Sequence, residues 1–390
     1  MALTKVAILG STGSIGRATL SVIARHTDRF QVVAVCAHDS LNDVAAQVEK
    51  YGVPVAVMAD PQALNGSHSL PDAMWRSGRD AVLEVVEDVN VDVVVNAIVG
   101  SAGLEATFAA LRAGKRLALA NKESLVAGGP LVIDAAREGG GELIPIDSEH
   151  SAILQCLQAH DSGSVARLVL TASGGPFRGL DAGELANVGP EDALRHPTWD
   201  MGEKITVDSA TLANKALEII EAHFLYGIGY DKIEAIVHPQ SIVHSFVEFN
   251  DGSVLAQLGF PTMELPILYA LSHPEHVPDI SLRTFDPIRS SPLTFEEIDR
   301  ERFELFALGV EAGVRGGTAP AVFNAANEIA VQAFLSRGIR FIDMPEVVAH
   351  ALATVPKRNA ETLDDVLEAD AAARAAAGDF VCSRRSLTGG

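Results

Sequence analysis

Asp147 and Glu149 flank Ser148 at the end of a hydrophobic run, ELIPIDSEHSA over Glu142–Ala152. In an extended segment side chains alternate faces, so the two carboxylates point to one side and repel unless a cation or proton sits between them. This is the pattern of a metal site. The competing reading is a loop whose acids cap a helix beginning at Ser151; it accounts for Glu149 more readily than for two acids on one face. A third acid, Glu218, stands in NKALEII, where helical spacing puts Asn214, Lys215 and Glu218 on neighbouring turns of one face. Taken alone, that set is also what a surface Lys-Glu pair looks like.

Other segments carry groups suited to phosphates. GSTGSIG, Gly10–Gly16, follows a strand and opens a helix. Its glycines supply a tight turn and close backbone approach, and the helix N-terminus offers N–H groups to a pyrophosphate. Asp39 follows the second strand, where dinucleotide folds place the acid that grips the ribose; by that rule alone NAD is favoured over NADP, while His38 and Ser40 are donors that could offset it, so the cofactor's phosphorylation state stays open. In NKES, Lys122 and Glu123 lie at the carboxyl edge of a parallel sheet, where open α/β proteins bind ligands. The alternative there is a solvated turn. The run TASGGPFRG ends a strand in a Gly-Gly turn, an anion nest with Ser173 as an added donor and Ser209, Asn214 and Lys215 as further donors. HPTWDMG places His196, Trp199 and Met201 in a loop bounded by Pro197 and Gly202, which reads as a tucked anchor or a lid. His238 and His244, on apolar strands, read as core histidines.

The elements that must position these groups change texture along the chain. From Lys5 to Asp147, β-branched runs such as KVAILG, FQVVAVCA and DVVVNAIVG alternate with helical stretches, which predicts a doubly wound parallel sheet over 1–147. Residues 148–272 read as α+β. They hold strands at Arg167–Ser173 and Ile233–Phe249, a hairpin turn at Asn250–Gly252, and one long amphipathic helix from Asp208 to Leu225. Residues 273–298, with four prolines between Pro274 and Pro292, form an extended connector, and 299–390 a helical bundle. The fold class is therefore α/β with a Rossmann-like N-terminal domain, a central α+β catalytic domain and a C-terminal helical domain.

Of the 390 residues 48% are hydrophobic, and no apolar run approaches the roughly 18 needed to cross a bilayer, so no membrane association is expected. The net charge of -21 disfavours nucleic acid. The three cysteines, Cys36, Cys156 and Cys382, read as buried small hydrophobes of a reducing compartment. A strand starting at Lys5 leaves no room for a targeting peptide, which points to the cytoplasm. The sequon-like NGS at Asn65 reads as a turn.

These motifs, with KITVDSATLANKALEIIEAHFL, HPQSIVHS, DGSVLAQLGFP and NAANE, resemble the 1-deoxy-D-xylulose 5-phosphate reductoisomerase family over nearly the whole chain. The resemblance implies a homodimeric, NADPH-dependent enzyme of the non-mevalonate isoprenoid pathway. By motif, Asp147, Glu149 and Glu218 match ligands of Mg2+ or Mn2+, hard cations suited to oxygen-only ligation. Lys122, Ser148 and Glu149 match substrate positions, with Lys122 and Glu149 as acid-base groups. Ser173, Ser209, Asn214 and Lys215 match the phosphate set with His196 close by, and Trp199 and Met201 the lid. Thr12, Gly13, Ser14, Ile15, Asn121, Glu123 and Gly202 match NADPH contacts. Where family members often carry a Gly-Lys-Asn-like run after the second strand, this chain has His38, Asp39 and Ser40. The implied reaction is a metal-assisted retro-aldol cleavage and re-addition of the sugar phosphate, followed by reduction of the resulting aldehyde.

Overall fold

A computed structural model describes residues 2–65, 69–160, 162–283 and 285–388, with side chains to Arg384. Gly66 and Ser67 of the NGS turn lie outside the described residues. The described residues fall into two compact units: those within Met1–Ser124, Val132–Ser151 and Thr262–Arg283, and those within Leu125–Leu131, Ala152–Pro261 and Thr284–Gly390.

The first unit is built on β1 (Thr4–Leu9), α1 (Ser14–Arg25), β2 (Phe30–Ala37), α2 (Leu41–Tyr51), β3 (Val55–Met58), β4 (Met74–Ser77), α3 (Arg79–Glu87), β5 (Val93–Asn96), α4 (Leu104–Arg112) and β6 (Arg116–Leu119). They are followed by α5 (Lys122–Gly139), β7 (Glu142–Pro145) and the start of α6 (Ser148–Leu157). The strands form one parallel sheet in the order β4-β3-β2-β1-β5-β6-β7. Val6–Leu9 and Val93–Val95 are almost fully buried, as expected of strands covered on both faces. The order reverses between β1 and β5, so the loops after these strands diverge and open a crevice at their carboxyl ends. The doubly wound expectation is thus met. β4, with the sequence MWRS, escapes sequence reading because an edge strand needs no unbroken apolar run.

In the second unit, β8 (Val165–Ala172), α7 (Ala182–Leu185), α8 (Pro190–Ala193), α9 (Glu203–Ala210), α10 (Ala213–Tyr226), β9 (Ile233–Val237), β10 (Val243–Phe249) and β11 (Val254–Leu258) follow one another. After α11 (Glu264–Ser272), which belongs to the first unit, come β12 (Glu296–Glu297), α12 (Glu304–Arg315), α13 (Ala319–Leu335), α14 (Met344–Thr354) and α15 (Leu363–Thr388). The sheet order is β11-β10-β8-β9-β12, and β10 and β11 meet as the expected hairpin. Phe306, Phe323 and Phe334 centre the core of this unit.

Four expectations are corrected. The single strand read over Ile233–Phe249 is two, one on each side of β8, because Pro239 lacks a donor and Ser241 takes φ 50. The long helix from Asp208 is broken at Leu212, whose φ of 58 is left-handed and redirects the chain between α9 and α10. The segment around Asp147 is not extended: α6 begins at Ser148. Cys36 and Cys156 are buried, but Cys382 is exposed on α15. Among the described residues no helix is long and apolar enough to cross a membrane.

Candidate active site

At the reversal point the glycine loop is pinned by its neighbours. Gly10 N and Ser11 N donate to Cys36 O at 2.8 and 2.9 Å, and Gln47 Nε2 donates to Ser11 O at 2.9 Å. Gly10 takes φ 75, and a Cβ there would stand 2.5 Å from Ala97 O; one on Gly16 would collide with the Gly10 and Ser11 backbone. Both positions therefore demand glycine. Gly13 is the N-cap of α1 and supplies no side-chain cap, and Gly13 and Ser14 are exposed with Thr12 and Ile15 half-buried beside them. The first-turn amides and the positive end of the helix dipole thus face an open position suited to a pyrophosphate. After β2, His38 and Asp39 are exposed, and Ser40 Oγ lies 3.5 Å from Asp39 Oδ1 at the start of α2.

The carboxyl ends of β6 and β7 carry the second group. Asn121 caps α5 by accepting from Ser124 N at 3.1 Å, while its Nδ2 donates to Ile98 O and Gly100 O at 2.6 and 2.8 Å. It therefore ties the loop after β5 to the start of α5, with Glu123 buried beside it. Lys122, in the first turn of α5, is buried and its Nζ lies 2.5 Å from Asp147 Oδ2.

Asp147 immediately precedes α6. Its carbonyl accepts from Ser151 N at 2.8 Å and its Oδ1 from Glu149 N at 3.3 Å, while Ser148 Oγ donates to Glu149 Oε2. Carboxylate oxygens of Asp147 and Glu149 lie within 4.8 Å of one another. The two acids are neighbours, then, but not through strand alternation. They share the positive end of a helix that starts three residues earlier than the capping alternative supposed.

In the second unit, the turn after β8 runs through Gly174 and Gly175 with φ 86 and 66. Ser173 Oγ accepts from Gly175 N at 3.2 Å and pairs with His196 Nε2 at 3.0 Å. His196 Nδ1 accepts from the Thr198 and Trp199 amides at 3.1 and 2.9 Å, which assigns the ring proton to Nε2. With both lone pairs of Ser173 Oγ engaged, its own proton is left to be donated outward, as anion binding requires. Burial lowers the His196 pKa to about 4, so the ring stays neutral and the tautomer fixed.

Ser209, at the end of α9, stands against the same turn: a Cβ on Gly175 would come within 2.5 Å of Ser209 O. On α10, Asn214 Nδ2 donates to Glu218 Oε1 at 2.5 Å, and Lys215 Nζ to Glu218 Oε2 and to Thr171 O, the latter at 2.5 Å. Lys215 and Glu218 are buried, so the sequence-predicted face is an interior one rather than a surface pair. The Trp199–Met201 segment is half-buried except for exposed Asp200, held at one end by His196 and at the other by Gly202, whose carbonyl accepts from Thr206 Oγ1 at 2.8 Å. His238, fully buried, meets Thr294 O through Nδ1 at 2.8 Å, consistent with a core histidine.

Within the first unit the structure thus brings together Lys122, Asp147, Ser148 and Glu149, with Asn121 and Glu123 adjoining. Within the second it brings together Ser173, His196 and Ser209, and separately Asn214, Lys215 and Glu218. Sequence reading missed Asn96, which is fully buried and holds the loop after β5 through Gly103 O and Thr107 Oγ1 at 2.9 and 3.0 Å. The one sign of it was a polar residue closing the apolar run VVVN.

Comparison with known proteins finds similar chains over nearly the whole length. The family model for 1-deoxy-D-xylulose 5-phosphate reductoisomerase matches residues 6–129, that for the reductoisomerase C-terminal domain residues 143–226, and a further DXP reductoisomerase C-terminal model residues 258–376. The 1-deoxy-D-xylulose 5-phosphate reductoisomerases of Paraburkholderia xenovorans (strain LB400) and Burkholderia pseudomallei (strain 668) are each 48% identical over 97% of this chain and 96% of their own. Among solved structures, the Zymomonas mobilis reductoisomerase in complex with NADPH is 44% identical, covering 97% of this chain and 99% of that one with a TM-score of 0.89. A DOX-P reductoisomerase in complex with NADPH, fosmidomycin and magnesium is 37% identical, covering 97% and 98% with a TM-score of 0.91.

Proposed function

The chain belongs to the 1-deoxy-D-xylulose 5-phosphate reductoisomerase family, and from that premise we propose that it converts 1-deoxy-D-xylulose 5-phosphate to 2-C-methyl-D-erythritol 4-phosphate in isoprenoid biosynthesis, using NADPH and a divalent metal. The observation that carries this reading is the buried Lys122 ammonium against Asp147, with Glu149 beside it at the edge of a dinucleotide-type sheet.

The donors present fit both groups. Asp147 and Glu149 offer only carboxylate oxygens, the choice of Mg2+ or Mn2+, and Glu218 is our proposed third ligand. The uncapped α1 N-terminus fits the pyrophosphate of NADPH, with Thr12, Gly13, Ser14, Ile15, Asn121, Glu123 and Gly202 proposed as contacts and His38 and Ser40 at the 2′-phosphate. When bound, the metal supplies Lewis acidity and NADPH the hydride.

The chain's own residues would do the rest. Lys122 and Glu149 exchange protons with substrate hydroxyls as the carbon skeleton breaks and re-forms, and Ser148 orients the substrate. Ser173, Ser209, Asn214 and Lys215 hold its phosphate with His196 fixing the Ser173 hydroxyl. Binding energy from this remote group supports closure of the Trp199–Met201 loop and exclusion of water. We further propose a homodimer acting in the cytoplasm without nucleic-acid or membrane partners, in keeping with the charge of -21.

The test is to incubate the protein with the sugar phosphate, NADPH and Mg2+ or Mn2+ and follow reduced nicotinamide by absorbance, with NADH in parallel because Asp39 stands at the ribose position. Absence of oxidation, or oxidation indifferent to a chelator, would refute the proposal.

A further inference from the structure

The NAANE motif, Asn324–Glu328, has no part in the chemistry above, and neither has the aspartate of VDSAT. Asp208 is nevertheless a fully buried carboxylate, one residue before Ser209. One hydrogen bond and one ion pair hold it. Asn327 Nδ2, reaching from α13, lies 2.7 Å from Oδ1, and Lys204 Nζ, one turn earlier on α9, lies 2.8 Å from Oδ2. Asn327 is itself fully buried, so neither side of the Asp208–Asn327 bond can turn to solvent instead.

The partner helix is held in its turn. Asn324 Nδ2 donates to Glu328 Oε1 at 3.0 Å, and Arg374 of α15 donates to Glu328 Oε2 and to Asp370 Oδ2, each at 2.6 Å. The polar residues of the motif thus fix α13 to α15 on one side and to α9 on the other. A buried carboxylate tolerates little movement away from its donors, so this bond sets the rotation and axial position of α9. That position has a consequence at the next residue. Ser209 O abuts Gly175 and accepts from Leu212 N at 3.3 Å, at the left-handed turn that launches α10 with Asn214 and Lys215.

We propose that Asp208 and Asn327 are positioning residues for the substrate phosphate. They set the register of α9 so that Ser209, and through the Leu212 turn Asn214 and Lys215, are presented to the phosphate together with the Ser173–Gly175 turn. The inference rests on the function proposed above and assigns the NAANE motif a role in recognition from outside the site.

The full-length enzyme is tested by steady-state kinetics with inorganic phosphate as competitive inhibitor. Asn327→Ala is expected to raise KM for the sugar phosphate and weaken phosphate inhibition, each about fivefold or more, with kcat and the NADPH dissociation constant within about twofold of wild type. Asp208→Asn combined with Asn327→Asp reverses donor and acceptor while leaving an oxygen for Lys204. This double variant is expected to restore KM and phosphate inhibition relative to Asn327→Asp alone, which sets two carboxylates against each other and serves even where Asn327→Ala does not fold. A lowered Tm with unchanged KM and phosphate inhibition in Asn327→Ala overturns the inference, as does failure of the double variant to rescue. If the wild-type enzyme turns over the sugar phosphate and Ser209→Ala weakens phosphate inhibition while Asn327→Ala does not, only this inference falls; a wild-type enzyme without turnover overturns both readings.

Discussion

The Lys122 ammonium and the Asp147 carboxylate lie 2.5 Å apart, Nζ to Oδ2, with the lysine side chain only 4% exposed. Lys122 sits in the first turn of α5, where the helix dipole disfavours a positive charge, and Asp147 is the counter-charge that offsets it. In Lys122→Met the paired acids Asp147 and Glu149 lose that ammonium. Stability in chelator is expected to fall by about 3 kcal/mol. Saturating Mg2+, binding the folded state alone, is expected to recover up to about 2.7 kcal/mol at a hundredfold excess over its Kd. Urea unfolding of the variant with and without Mg2+ reads this directly, and a variant that Mg2+ does not stabilise would contradict the metal role of Asp147.

Lys215 serves two partners at once, because it is the counter-ion of buried Glu218 and a proposed phosphate contact. Lys215→Met should therefore lower Tm and also raise KM for the sugar phosphate about tenfold or more. Adding Glu218→Gln removes the orphaned charge, so in chelator Tm should recover while binding of inorganic phosphate stays weak. Recovery of Tm and of phosphate binding together would mean that Lys215 acts on the substrate only through the fold.

The glycine loop gives a sharper steric test. A Cβ on Gly16 meets backbone atoms of Gly10 and Ser11, which cannot swing aside as a flexible side chain would. Gly16→Ala is expected to weaken NADPH binding about tenfold or more, equivalent to about 1.4 kcal/mol. Fluorescence titration measures it, and an unchanged Kd would mean that the loop does not contact the nucleotide.

His196 makes the protein sensitive to acid in a defined window. Its folded pKa, lowered by burial to about 4, lies below the value of about 6.5 expected in the unfolded chain. The unfolded state therefore takes up a proton first as pH falls, and stability is lost from pH 6.5 down to about 4. Tm should fall more steeply over that range in wild type than in His196→Asn. NMR titration of the ring should give a midpoint near 4, and a ring that titrates above pH 6 would overturn both the tautomer and the hydrogen bond to Ser173.

Much of the first unit is legible in the chain itself, because β-branched runs alternating with helical periods leave few options other than a covered parallel sheet. β4 and α12 are harder to read, the first because its edge position requires no apolar pattern. The acidic pair shows how proximity can be reached through other local geometry than the sequence suggests: the carboxylates of Asp147 and Glu149 lie within 4.8 Å of one another, yet at a helix start rather than along a strand. The break at Leu212 is hard to read because no Gly or Pro marks it and the apolar spacing runs on across it, and one left-handed residue is enough to turn the chain.

The sequence by itself determined the glycine loop, the alternating sheet, the motifs of the family and the residue types on offer to a metal or a phosphate. These depend on periodicities and backbone freedoms that act over a few residues. Tertiary structure alone decided where each buried polar group finds its partner: that the Ser173 proton points outward, that Lys215 faces the interior, and that Asp208 is met by Asn327 from 119 residues away. A buried donor or acceptor must be satisfied by whatever element packs against it, and that element is chosen by the folding of the whole unit rather than by neighbours in the chain.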